Sequence, residues 1–238
     1  MPYCKFMLSL PPRLQTVASL VRKGSFVADV GTDHAYLPIW LAENNMISGA
    51  VATDIAIGPL DRALRNIKSS NLPCEISTAL TPGLLGIDKY APDDICICGM
   101  GSETIIQILE ASEYVNNSNV RLILQPMTKA EFLREWLLEN GFFIADEKLC
   151  YDRDKLYQII VAQYHGEKSS ISEYAALVGT DAMKSSEHYK LHLQNILKMQ
   201  NKKFEGLKVS GADTAELEVL IRKIEQEIIG YDNGCGSV

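Results

Sequence analysis

The sequence predicts an α/β fold, a doubly wound and mostly parallel sheet, and three observations carry that prediction. Short apolar runs alternate with helical patterns from residue 26 to residue 140, the connections between them are short, and the alternation then gives way to two adjacent strand-like runs. Strict alternation with short connections implies parallel strands joined by right-handed crossovers. Two apolar runs separated only by a polar tetrapeptide read as an antiparallel hairpin.

Taken in order, an amphipathic helix around Arg13 to Val21 opens the chain. Strands are expected at 26–31, 49–54, 74–80, 94–99 and 120–126, with helices at 38–45, 59–70, 102–112 and 129–140. Pro38 and Pro59 mark helix starts, because the first turn tolerates a missing N–H. Phe142-Phe143-Ile144-Ala145 and Leu156-Tyr157-Gln158-Ile159-Ile160-Val161-Ala162 form the hairpin, with Tyr151-Asp152-Arg153-Asp154 as its polar break. These seven strands assign residues 1–166 to one domain. Beyond Gly166 the pattern is helical, near 172–177, 185–206 and 214–229. Leu191, Ile196, Leu197 and Phe204 can face Leu217, Leu220, Ile224 and Ile228, with Gly206 and Gly211 in the break, so residues 167–238 read as a coiled-coil-like helical hairpin. The tail, Asn233-Gly234-Cys235-Gly236-Ser237, is expected to fray.

A chain of 238 residues that is 47% hydrophobic can bury a full-sized core. It has no apolar stretch of membrane-spanning length, and its start is too short and too soon interrupted for a secretory signal, so the expected compartment is the cytoplasm. A net charge of −7 argues against indiscriminate coating of nucleic acid. A local basic face remains, where Lys184, Lys190, Lys198, Lys202, Lys203 and Lys208 outnumber Glu187 and Glu205; it reads equally as a solvated helix surface or an RNA contact. Cys4, Cys74, Cys96, Cys98, Cys150 and Cys235 contain no C-x-x-C pair, and buried reduced thiols are the expectation. No metal site is expected: Cys96 and Cys98 share a strand face and His188 and His192 a helix whose face is expected to be solvated, but neither pair has further ligands at matching positions.

The sheet's carboxyl ends hold the candidate site. Phe26 to Val30 runs into Gly31-Thr32-Asp33-His34-Ala35 and then a helix, a junction suited to a nucleotide-like ligand. Gly31 permits a sharp turn and close approach. Asp54 ends the second strand about 20 residues beyond that turn, the position from which an acid hydrogen-bonds a ribose diol; capping the following helix is its structural alternative. The single glycine speaks against a dinucleotide, whose pyrophosphate needs G-x-G-x-x-G. The fourth strand ends in Cys98-Gly99-Met100-Gly101, bare backbone against which a ligand can lie, and the fifth ends in Gln125, whose amide has enough donors and acceptors to read a base edge.

Together, Asp-Val-Gly-Thr-Asp-His-Ala-Tyr-Leu-Pro at 29–38, Thr-Asp-Ile at 53–55 with Gly58-Pro59-Leu60, Cys-Gly-Met-Gly at 98–101 and Leu-Gln-Pro at 124–126 resemble the TrmK family, bacterial tRNA methyltransferases that modify N1 of adenine 22. The resemblance implies a Rossmann-like fold with a coiled-coil tail, S-adenosylmethionine as cofactor and tRNA as partner. It implies cofactor binding by Asp29, Gly31, Thr32, Asp54, Ile55, Gly83, Leu84, Gly99, Met100 and Gly101. Catalytic roles fall to Asp33, stabilising positive charge on the methylated base, to His34 and Tyr36, positioning it, and to Gln125. The chain departs from the family at Thr81-Pro82, where an acid or amide is common before Gly83-Leu84, at Ser102 for a glycine and at Met127 for an asparagine. A class I methyltransferase acting on a small molecule or another RNA, and a non-catalytic RNA-binding protein, are the alternatives.

Overall fold

In the computed structural model the structure describes residues 9–231; Cys4, Cys235 and the tail expected to fray lie outside the described residues. The elements are α1 (Pro12–Leu20), β1 (Phe26–Val30), α2 (Tyr36–Glu43), β2 (Gly49–Asp54), α3 (Ile57–Ser69), β3 (Ile76–Leu80), β4 (Asp94–Met100), α4 (Ser102–Glu110), β5 (Arg121–Pro126), α5 (Ala130–Glu139), β6 (Phe142–Asp152) and β7 (Lys155–Tyr164). Four helices follow: α6 (Glu173–Val178), α7 (Asp181–Lys184), α8 (Tyr189–Ser210) and α9 (Ala215–Gly230).

The seven strands form one sheet in the order β3-β2-β1-β4-β5-β7-β6. The first five are parallel, and β7 enters antiparallel between β5 and β6. Both faces are covered, so alternate residues of one strand enter different cores. Val27, Ala50, Ala52, Cys96 and Ile123 pack into the cluster that includes Val17 of α1 and Leu41 of α2, while Ala28, Val51, Ile95, Leu122 and Leu124 pack with Ile105 of α4 and Leu133 of α5. Strand order reverses between β1 and β4, so the crevice opens at their carboxyl ends.

Local differences from the sequence reading have local causes. Helices α2 and α3 begin at Tyr36 and Ile57, which puts Pro38 and Pro59 at the third helical position. That position's N–H also lacks an intrahelical acceptor, so proline costs no bond there either. The hairpin turn is only Arg153-Asp154, both left-handed (φ +47 and +62), and Tyr151 and Asp152 pair with Leu156 and Lys155 as strand residues. A two-residue turn with both φ positive matches strand twist, so it prevails over the polarity of its neighbours.

Helix α8 runs straight through Gly206 and ends at Gly211 (φ +72). Its seam uses Leu193 and Ile196 against Leu217, Leu220 and Ile224, and Leu191 is 37% exposed rather than in the seam. His192, expected on a solvated face, is buried beside the Tyr189 ring. The helical region shares this core with Leu149 of β6. A fully buried ion pair joins the two parts: Arg134 Nε donates to Glu147 Oε1 at 2.8 Å, Arg134 Nη1 to the Ala176 carbonyl at 2.7 Å, and the Thr180 N–H to Glu147 Oε2 at 2.7 Å. Among the described residues no helix is long and apolar enough to cross a membrane.

Candidate active site

The β1–α2 corner is fixed by its backbone. The N–H groups of Gly31 and Thr32 both donate to the Thr53 carbonyl at 2.8 Å, and the Ala35 N–H donates to Thr32 Oγ1 at 3.0 Å. Gly31 has φ +77, and Ala35, a residue with a β-carbon, is held left-handed at φ +55 just before α2. This turn aims Asp29, Asp33, His34 and Tyr36 into one cavity of about 380 Å³, which Arg13 of α1, Cys98, Gly99 and Met127 also line.

A second cavity of about 290 Å³ adjoins the first at Gly31, with Asp54, Ile55, Pro82, Gly83, Met100, Gln107 and Ile108 among its walls. Its walls are mostly apolar, suited to a flat base. Asp54 Oδ1 accepts from the Ala56 N–H at 2.7 Å, so the carboxylate also caps its own loop. Gly83 (φ +56) packs directly beneath Ile108: a β-carbon there would lie 3.1 Å from the Ile108 side chain.

Asp29 is 8% exposed, and burial raises its carboxyl to about 6, against the opposing pull of a hydrogen bond from Thr32. Burial also pushes the Cys98 thiol up, so it is no nucleophile at neutral pH. At the mouth, Asp33 Oδ1 accepts from Arg62 Nε at 3.1 Å, its other oxygen lies 3.2 Å from His34 Nε2, and the His34 and Tyr36 rings stack 4.9 Å apart at 7°. Asn66 fixes this ledge by donating to the His34 carbonyl at 2.9 Å.

These features meet the needs of S-adenosylmethionine: glycines at 31 and 99 that keep β-carbons out of the cleft, an acid at the ribose position of the second strand, apolar walls for adenine and a buried acid for an amino-acid end. The fold and site define a class I S-adenosylmethionine-dependent methyltransferase. The profile of the methyltransferase-domain family matches residues 10–160. The tRNA (adenine(22)-N(1))-methyltransferase of Bacillus subtilis is 41% identical over 156 residues, a match spanning 66% of this chain and 66% of that protein. The crystal structure of B. subtilis M1A22 tRNA methyltransferase TrmK superposes with TM-score 0.76 at 32% identity, covering 93% of this chain and 96% of that one. That of a putative tRNA (m1A22) methyltransferase of Streptococcus pneumoniae in complex with S-adenosyl-L-methionine superposes with TM-score 0.78 at 31% identity, covering 91% and 99%. The chain belongs to the TrmK family.

Of the residues singled out from sequence, Asp29, Gly31, Thr32, Asp33, His34, Tyr36 and Gly99 line the larger cavity, and Gly31, Asp54, Ile55, Gly83 and Met100 the smaller. Three do not reach either one. Gln125 is fully buried, its amide spent on Arg13 and on the Pro126 carbonyl, so it has no edge to offer a base. Leu84 points into the core at 3% exposure, and Gly101 caps α4. Residues not foreseen include Arg13 and, from α4 and its C-cap, Thr104, Gln107, Ile108 and Ala111. The α4 set recurs at helical spacing, a signal present in the sequence; Arg13 lies 112 residues from its partner Gln125 and gives no local sign.

Proposed function

We propose that this protein transfers the methyl group of S-adenosylmethionine to N1 of adenine 22 in tRNA. The observation that carries the reading is the Asp33–His34–Tyr36 ledge at the mouth of the cavity that holds Asp29, continuous through Gly31 with an apolar nucleoside-sized cavity. The 41% identity to an enzyme named for this reaction supports the choice of base.

The bound cofactor supplies a methyl group already activated by its sulfonium, for which no metal is needed. Neutral adenine carries a lone pair on N1, so the chain has no proton to remove before attack. Its work is positioning and charge. N1 is hidden in a regular pair, so the base enters flipped or unpaired, and the stacked His34 and Tyr36 rings offer it a flat surface. Asp33 accepts a hydrogen bond from the exocyclic amine and offsets the positive charge that grows on the ring. Arg62 holds Asp33 in place.

Residues 1–166 are assigned to cofactor and chemistry, and 167–238 to the grip on tRNA. Lys198, Lys202, Lys203 and Lys208 are exposed along α8, at spacings that address a phosphate backbone. Such an enzyme works in the cytoplasm, with its substrate. The test is methyl transfer to unmodified bacterial tRNA, followed by nucleoside mass spectrometry and mapping. N1-methyladenine at position 22 is the expected product; cofactor binding with no transfer to tRNA overturns the reading.

A further inference from the structure

The loop that leads from β5 into α5 stands on the rim of the larger cavity. Met127 lines that cavity, and its N–H donates to the Met100 carbonyl at 2.8 Å. Ser102 Oγ donates to the Thr128 carbonyl at 2.8 Å, so the loop is fastened to the β4–α4 corner at two points. Lys129 takes a left-handed backbone (φ +57) to start α5, and the Phe132 N–H donates to its carbonyl at 3.1 Å. The Lys129 ammonium donates to Glu103 Oε1 at 2.6 Å and lies 5.4 Å from the centre of the Phe132 ring. The ring is thus carried on a braced turn.

Leu133, Arg134 and Leu137 form the buried face of α5, which leaves Phe132 on the open side. Met127 is 43% exposed and Phe132 46%. One exposed apolar side chain is ordinary. Here a thioether and an aromatic ring stand five residues apart on a fixed loop, at the rim of the same cavity that the stacked His34 and Tyr36 rings line.

We propose that Phe132 and Met127 form a stacking platform for the tRNA base next to the target adenine; this rests on the methyl-transfer reading of the same cleft. An adenine drawn out of its stack leaves its neighbour with one face uncovered. Every base has a π-face, so an aromatic side chain can take it up whatever its identity, and a polarizable thioether packs against aromatic rings. Lys129 does not make this a phosphate site. Its charge is already paired with Glu103, and Glu131 follows in the first turn of α5, so a phosphate there meets two carboxylates while a neutral base does not.

The test measures tRNA affinity and methyl transfer for the full chain as wild type, Phe132→Leu and Phe132→Trp. The probes are unmodified bacterial tRNA and two copies of it, each abasic at one neighbour of the target adenine. Phe132→Leu keeps apolar area and loses the π-face, so it is expected to weaken tRNA binding about 5-fold or more while keeping its affinity for S-adenosylmethionine. Phe132→Trp is expected to bind tRNA at least as tightly as wild type. One of the abasic tRNAs should bind wild type as weakly as intact tRNA binds Phe132→Leu, and Phe132→Leu should lose nothing further on it. Wild type that binds and methylates both abasic tRNAs like intact tRNA overturns the platform, and that arm needs no variant to fold. Unchanged tRNA affinity in Phe132→Leu overturns it too, as does a loss in Lys129→Ala alone with a smaller salt dependence, which assigns the loop to phosphate. Wild type that binds S-adenosylmethionine but methylates no tRNA overturns the methyl-transfer reading, and the platform with it.

Discussion

The methyl end of Met100 lies across the α-carbon of Gly31, at the point where the two cavities meet. A β-carbon on Gly31 would overlap that methyl, and φ +77 adds a backbone penalty of about 1 kcal/mol for any residue with a side chain. Gly31→Ala is therefore expected to weaken S-adenosylmethionine binding at least 10-fold by calorimetry. Gly31→Ala with Met100→Ala should regain part of the loss, since the overlap goes and the backbone penalty stays. No recovery would show that turn geometry alone sets affinity.

Asp33 sits at the mouth, half-exposed and tied to Arg62, away from the cavity that the cofactor's adenosine would fill. Asp33→Asn is expected to lower kcat at least 10-fold while changing cofactor affinity less than about 3-fold, since it keeps the shape and loses the charge. Single-turnover rates and calorimetry separate the two. An equal fall in both would move Asp33 from the chemistry to the cofactor.

The parts of this fold that depend on nearby residues were legible in the sequence, and those that depend on distant ones were not. Strand polarity, glycine turns and the Asp29-to-Pro38 block placed β1, β2 and β4 and most of the cleft, because each is encoded within a few residues. The setting of Gln125 is hidden from the sequence because its partner Arg13 comes from the other end of the domain, and an amide at a strand end looks the same whether it faces a ligand or a guanidinium. The burial of His192 is hidden from the sequence for a similar reason: its helix is polar on average, and its inward face is set by the core that Tyr189, Leu193 and Ile196 of the same helix share with Leu177, Val178 and Leu220.

The Arg134–Glu147 pair joins α5 and β6 to α6 and to the N-cap of α7 with both side chains out of solvent. Removing one partner leaves a buried charge uncompensated, a cost of about 3–5 kcal/mol. Glu147→Gln and Arg134→Met should each lower the urea midpoint accordingly, and should weaken tRNA binding before S-adenosylmethionine binding, because the joint lies beside the helical region. Loss of cofactor binding first would place the weak point in the sheet.

Asp29 and His192 give opposite slopes to stability in acid. Burial raises Asp29 from 3.8 to about 6, so its contribution is fully present below 3.8 and is lost as pH rises through 6. Burial, with the nearby Arg134 charge, lowers His192 from 6.5 to about 4, so its contribution is present above 6.5 and is lost as pH falls through 4. Each shift is worth on the order of 3 kcal/mol. Between pH 6 and 4 the two offset in the wild type, and single variants uncouple them. Asp29→Asn should be more stable than wild type at pH 7.5 and lose that advantage by pH 4, with weaker cofactor binding throughout. His192→Gln should keep more of its pH 7.5 stability at pH 4 than wild type does. Urea unfolding at the two pH values decides it: parallel pH profiles for wild type and both variants would mean that neither group titrates with folding.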